Sequence, residues 1–339
     1  MTPRSAAAKV MADAVPPAAV EAFDPVNSAA ASVTYRIRQQ FSYAYDGPAH
    51  QLVHRLVVVP ARRHGDQVLR AFHLAVSDPA ATVTWERTTD GSRAAVVKLD
   101  TVAPRLDFDI TVVVERVAVG GPPRLPASAL TGRRLLTPTP LTTPDPTMIE
   151  LARTLAVPDP LETALRCCSW VHRKIEYADG ATDITTTAAQ ALAGGRGVCQ
   201  DHAHVLLALC RAAGVPARYV SGHMIGEGAS HAWVEVIVPE GVARAFHSGG
   251  SGGPGDGGIL TVSGTGGEHG RSPGGAAACA VALDPCHDRP TDRRYVTVAV
   301  GRDYHEVTPT SGWYAGPGRG ALTTTQRVDI IGFEPTATD

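Results

Sequence analysis

The chain has no continuous run of about 18 apolar residues, so no membrane-spanning helix is expected. It has no excess of either charge. Lys and Arg number 31 against 33 Asp and Glu, a formal net charge of −2. That balance argues against a protein that holds nucleic acid by bulk charge, which wants a clear basic surplus. Six cysteines in 339 residues are too few for a disulfide scaffold. A reducing compartment fits, and it permits a working thiol. Residues 1–32 also lack an apolar core of signal-peptide length, because Lys9, Asp13 and two prolines interrupt it. They are expected to form the disordered leader of a cytoplasmic protein.

What is present is a globular composition, 44% hydrophobic and 19% charged, long enough for two domains. The 34 glycines exceed ordinary usage, and the excess is local, with 13 of them between positions 248 and 275. From Val33 onward, apolar and polar residues alternate. Asp46-Gly47-Pro48 is a turn, and Leu52 to Val59 a returning strand. Thr82–Glu86 and Ala94–Leu99 flank a turn at Asp90-Gly91-Ser92, and Leu106–Val117 is a further strand. Residues 33–118 are therefore expected to form an antiparallel β domain. Prolines 122, 123, 126, 138, 140, 144 and 146 mark 119–146 as a linker.

Helical periodicity follows over 148–155, 161–175 and 186–192. Cys199 then opens a helix to about Ala213, ended by Gly214 and Pro216, with Ala203, Leu206, Leu207 and Cys210 on its apolar face. Cys199, four residues before Ala203, lies at the first turn on that inward face. Strands are expected at 217–223, 230–238, 279–283, 295–300 and 323–331. In the second of these, His231, Trp233 and Glu235 share one face. Helices first and antiparallel strands afterwards make an α+β core.

A cysteine at a helix start is a physical device. Unpaired N–H groups and the helix dipole favour the thiolate, and Arg196 adds a positive charge nearby. A histidine on an adjacent strand can move the proton, and a carboxylate on the next strand can fix the histidine's tautomer. The chain supplies Cys199, His231 and Asp284 in that order.

The motifs Gly197-Val198-Cys199-Gln200-Asp201-His202-Ala203-His204, Gly214-Val215-Pro216-Ala217-Arg218-Tyr219, His231-Ala232-Trp233-Val234-Glu235 and Leu283-Asp284-Pro285 strongly resemble the transglutaminase-like superfamily. The likeness is to its bacterial branch with an N-terminal β domain, and it spans roughly residues 33–331. It implies a papain-like core, with the cysteine helix packed on an antiparallel sheet in residues 147–331. It also implies a Cys199–His231–Asp284 triad and acyl transfer through a thioester on Cys199, without cofactor or metal. The acyl donor would be a protein, peptide or carrier-linked amide, glutaminyl or peptide group. The acceptor would be an amine or water, so transferase, protease or amidase, and amide-forming enzyme all fit. A protein-binding module with a vestigial triad is the alternative from another class, and the intact triad argues against it. The backbone N–H of Cys199 is a natural oxyanion donor.

Gln200 is a candidate to polarise a substrate carbonyl. Trp233 either walls the site or sits in the core. His202 and His204 stand about 200° apart on the helix, so with Cys199 they do not converge on a metal. Asp201 favours the helix dipole, and Cys279 and Cys286-His287 read as incidental. One departure from the family pattern stands out: 53 residues separate His231 from Asp284, because a glycine-rich insertion at 243–278 intervenes. A disordered loop that leaves the hairpin intact is the expectation, since each doubling of loop length costs only about 0.6 kcal/mol. A lid over the site and a misassigned Asp284 (with Asp288 the poorer substitute) are the competing readings.

Overall fold

The computed structural model describes residues 24–26, 30–118, 120–228, 230–248 and 277–335. Most of the expected leader and residues 249–276 of the insertion lie outside the described residues. Among the described residues no helix is long and apolar enough to cross a membrane.

Two antiparallel sheets form the N-terminal β-sandwich. Its strands are β1 (Ala30–Tyr45), β2 (Ala49–Val59), β3 (Gln67–Val76), β4 (Thr82–Arg87), β5 (Arg93–Val102) and β6 (Arg105–Val117). Period-2 burial explains the packing. Leu106, Phe108, Ile110, Val112 and Val114 of β6 point into one core with Val33, Tyr35 and Ile37 of β1.

The second layer begins with α1 (Pro146–Leu155) and α2 (Pro160–Lys174), each started by proline behind an Asp cap. The short strands β7 (Glu176–Tyr177) and β8 (Arg196–Gly197) pair in parallel around α3 (Ala188–Gly194). Helix α4 (Cys199–Ala212) follows, then β9 (Ala217–Met224) and β10 (Ser230–Pro239). After α5 (Glu240–Ser248) come β11 (Ala278–Asp284) and β12 (Tyr295–Gly301). The central sheet runs β11–β10–β9–β12, with α4 on one face. β9 is buried along its whole length and β10 at all but its two ends. Cover on both faces does this, because the other face meets the β-sandwich. There Gln67 exchanges two hydrogen bonds with the Thr297 backbone, at 2.7 and 2.9 Å. Arg116 pairs with Asp66 and donates to the carbonyls of Asp292 and Tyr295.

The structure differs from the sequence expectation in three places. Residues 30–32, expected in the leader, already belong to β1 and pair across the sheet. The expected linker is a packed strap. Arg124–Leu125 pairs with β11, Leu135 and Leu141 are buried, and the buried Arg211 donates to the Leu135 carbonyl and the Thr142 hydroxyl. Prolines there set short turns over the core rather than a free tether. Finally, the last strands leave the catalytic segment that was expected to run to 331. β13 (Thr310–Ala315) pairs with β2, and β14 (Gly320–Pro335) pairs with β1. Both sandwich sheets are thus completed from the C-terminal end, which removes open edges from β1 and β2.

Candidate active site

The start of α4 is built by Gly197 and Asp201. Asp201 accepts from the Val198 N–H at 2.8 Å and from the Thr182 hydroxyl at 2.6 Å. It therefore caps the first turn of the helix. A Cβ on Gly197 would stand 2.6 Å from that carboxylate, so only glycine fits. Cys199 follows at the first helical position, half-buried, its thiol free of any disulfide.

His231 reaches toward the start of α4 from β10, close enough to feel the Cys199 thiol. Its Nε2 donates to Asp284 Oδ2 at 2.8 Å. β10 and β11 are neighbours with Val234 opposite Leu283, so the long insertion leaves the hairpin pairing in place. Asp288 is turned away, bonded by Ser169 at 2.6 Å. The structure thus brings Cys199, His231 and Asp284 together, with His231 hydrogen-bonded to Asp284.

Asp284 is fully buried and compensated. Oδ2 also accepts from the Tyr295 hydroxyl at 2.7 Å and from His287 Nδ1 at 2.7 Å, and Oδ1 accepts from the Cys286 N–H at 2.8 Å. Burial alone would raise its pKa, but the hydrogen bond and charge of His231, with Tyr295 and His287, hold it far below the usual carboxylate range. Burial pulls His231 down, yet Asp284 and Cys199 outweigh it and raise its pKa from 6.5 to about 10.

Other expected residues fall elsewhere. Gln200 turns its amide to the Ile184 carbonyl at 3.5 Å, away from the thiol. Trp233 is 1% exposed and lies edge-on to Tyr295 with ring centres 5.4 Å apart. It supports His231 from beneath and forms no substrate-facing wall. Arg196 faces Glu176 at 3.7 Å. His202 sits between the carbonyls of Val198 and Ile175, while His204 accepts from the Tyr304 N–H, so the two rings diverge as the helix period dictates. Burial pushes His204 down to about 3.

His287 is the main correction, since the sequence marked it as incidental and the structure seats it on Asp284. Tyr295 and Glu227 were also missed. Glu227 lies 3.3 Å from His231 Nδ1 and 3.5 Å from His287 Nε2. Only the Asp284-Pro285-Cys286-His287 spacing offered a signal, because a side chain three residues on can fold back over such a turn. Donor atoms of His231, Asp284 and His287 all lie within 4.8 Å of one another. The contacts to Asp284 Oδ2 are 2.7–2.8 Å, the separation of a shared proton. Two ligands of one tetrahedral zinc would stand about 3.3 Å apart. These contacts are hydrogen bonds to one carboxylate oxygen.

The sequence model of the transglutaminase-like superfamily matches residues 149–243, and that of the bacterial transglutaminase-like N-terminal region matches 35–115. An uncharacterised protein of Mycobacterium leprae is 29% identical over 170 residues, 47% of this chain and 47% of its own length. One of Mycobacterium tuberculosis is 29% identical over 206 residues, 56% and 55% of the two chains. The chain thus spans about half the length of the curated relatives it matches. A solved structure from Cytophaga hutchinsonii, described as a candidate cysteine protease, superposes with a TM-score of 0.64 at 19% identity. The match covers 91% of this chain and 94% of that one, a likeness of fold.

Proposed function

From a chain that belongs to the transglutaminase-like superfamily, with the bacterial N-terminal region ahead of its core, we propose a cysteine-dependent acyl transferase or amide hydrolase. The observation that carries this reading is His231 held on Asp284 at 2.8 Å beside a thiol on the first turn of α4. The Cys199 thiolate attacks an amide or peptide carbonyl. The N–H of Cys199, which the helix start leaves without an intrahelical acceptor, faces the developing oxyanion. His231 gives its Nδ1 proton to the departing amine, and the thioester forms. An incoming amine or water then attacks, gives its proton to His231, and restores the thiol. Asp284 keeps Nε2 engaged throughout, so that Nδ1 alone handles the proton.

The test offers the purified protein a glutaminyl peptide library with and without a primary amine, beside Cys199→Ala. The reading predicts ammonia or peptide release by the wild type alone. New amide in the presence of amine marks a transferase, and acid alone marks a hydrolase. Turnover by Cys199→Ala equal to wild type would overturn the proposal.

A further inference from the structure

We propose that Glu227 is a positioning residue of this site, a second carboxylate that holds His231 from the side opposite Asp284. The inference rests on the reading of Cys199 as nucleophile. Glu227 stands in the turn between β9 and β10, flanked by Gly226 and Gly228, four residues before His231. Gly226 has φ +94°, which lets the turn fold tightly enough to bring the side chain back over the site. One carboxylate oxygen lies 3.3 Å from His231 Nδ1 and the other 3.5 Å from His287 Nε2. The opposite nitrogens of both rings meet Asp284 Oδ2. Two carboxylates and two imidazoles therefore close a ring of four nitrogen–oxygen contacts.

The groups that face this ring come from every neighbouring element. Asp284 ends β11, Cys286 and His287 lie in the turn after it, and Tyr295 opens β12. Cys199 starts α4, and Tyr177 of β7 stands close enough to feel the charges of both Cys199 and Glu227. Cys199 also lies close enough to interact with His231, so on the nucleophile reading the Glu227 charge acts on both members of the ion pair. An anion beside an imidazolium stabilises it, and an anion beside a thiol opposes its ionisation. Glu227 thus moves both ionisations of the pair in the same direction, to higher pH.

The experiment follows the rate of Cys199 alkylation by iodoacetamide from pH 4 to 11 in the full chain, read by peptide mass spectrometry. The wild-type profile carries two ionisations, formation of the Cys199–His231 ion pair and loss of the imidazolium proton. Glu227→Gln keeps the shape and removes the charge, and both ionisations are expected to fall by about one pH unit, the size of a single neighbouring charge. Glu227→Asp, which keeps the charge, is expected to stay closer to wild type. Profiles of Glu227→Gln that superpose on wild type, or that shift at one ionisation only, would overturn the inference while leaving Cys199 as nucleophile. A wild-type Cys199 with the single profile of an ordinary thiol would overturn the nucleophile reading itself, and this inference with it.

Discussion

Asp284 has no exposed surface, yet it carries a charge and four hydrogen-bond donors. Breaking such an arrangement is costly, because the partners stay buried when the carboxylate is gone. Its coupling to His231 gives the site a pH signature. A histidine with a folded pKa of about 10 against 6.5 unfolded adds stability that is complete below pH 6.5 and disappears as pH rises through about 10. A carboxylate held below its ordinary 3.8 adds stability that is present above that pH and is lost on acidification. Asp284→Asn removes both. Thermal melts across pH should show a lower Tm at pH 7 and a shallower decline between pH 7 and 10 than wild type. Parallel curves would show that the pair is not coupled. Tyr295→Phe, which removes one donor to the same oxygen, should cost about 1.5–3 kcal/mol in urea unfolding. Cys199, His231 and Asp284 were legible in the sequence because each sits at a chemically marked place, a helix start, a strand face and a strand end. Tyr295, His287 and Glu227 were not. Each reaches the row from a different element, and only the folded chain brings those elements together.

At the scale of elements, the position of the thiol depends on how α4 begins. Gly197→Ala would drive a methyl group into the Asp201 carboxylate and pull it from the Val198 N–H. A loss of about 1–3 kcal/mol in stability is expected, together with slower alkylation of Cys199 in the folded protein. Slower alkylation without any stability loss would mean that Asp201 serves the chemistry rather than the helix. Gly222 has an equivalent constraint in the sheet, where a Cβ would lie 2.2 Å from the Val296 carbonyl and 2.4 Å from the Trp233 ring. The ring beneath His231 thus depends on a glycine in β9. Periodicity made α4, β9 and β10 readable, since a helix with one apolar stripe and a strand with strict alternation announce themselves. β3 went unread because its alternation is weak, and the strap over 119–146 because proline density marks turns without saying whether they pack. Gln200 and Trp233 show the same limit. Both lie within two residues of Cys199 or His231 in sequence, and local geometry points them at backbone and core.

Among the described residues, a sandwich completed by β13 and β14 packs against one face of the central sheet. That closure predicts the effect of truncation. A chain ending at Pro309 loses β13 and β14 and leaves the edges of β1 and β2 unpaired, so it should aggregate at concentrations where the full chain stays in solution. A soluble truncated protein with normal Cys199 reactivity would contradict this. Length suggested two domains, but pairing between the first and last strands is a relation of distant residues that no local pattern carries. The cross-ties of Gln67 and Arg116 to β12 make the sandwich a support for the strand that bears Tyr295. The central claim remains that this assembly serves to form a thioester on one sulfur. Incubation of the full chain with an activated acyl ester, followed by peptide mass spectrometry, tests it most directly. One added acyl group on Cys199 is expected, removed by hydroxylamine and missing in Cys199→Ala and His231→Asn. An adduct spread over other cysteines, or one that forms equally in the folded Cys199→Ala variant, would contradict it.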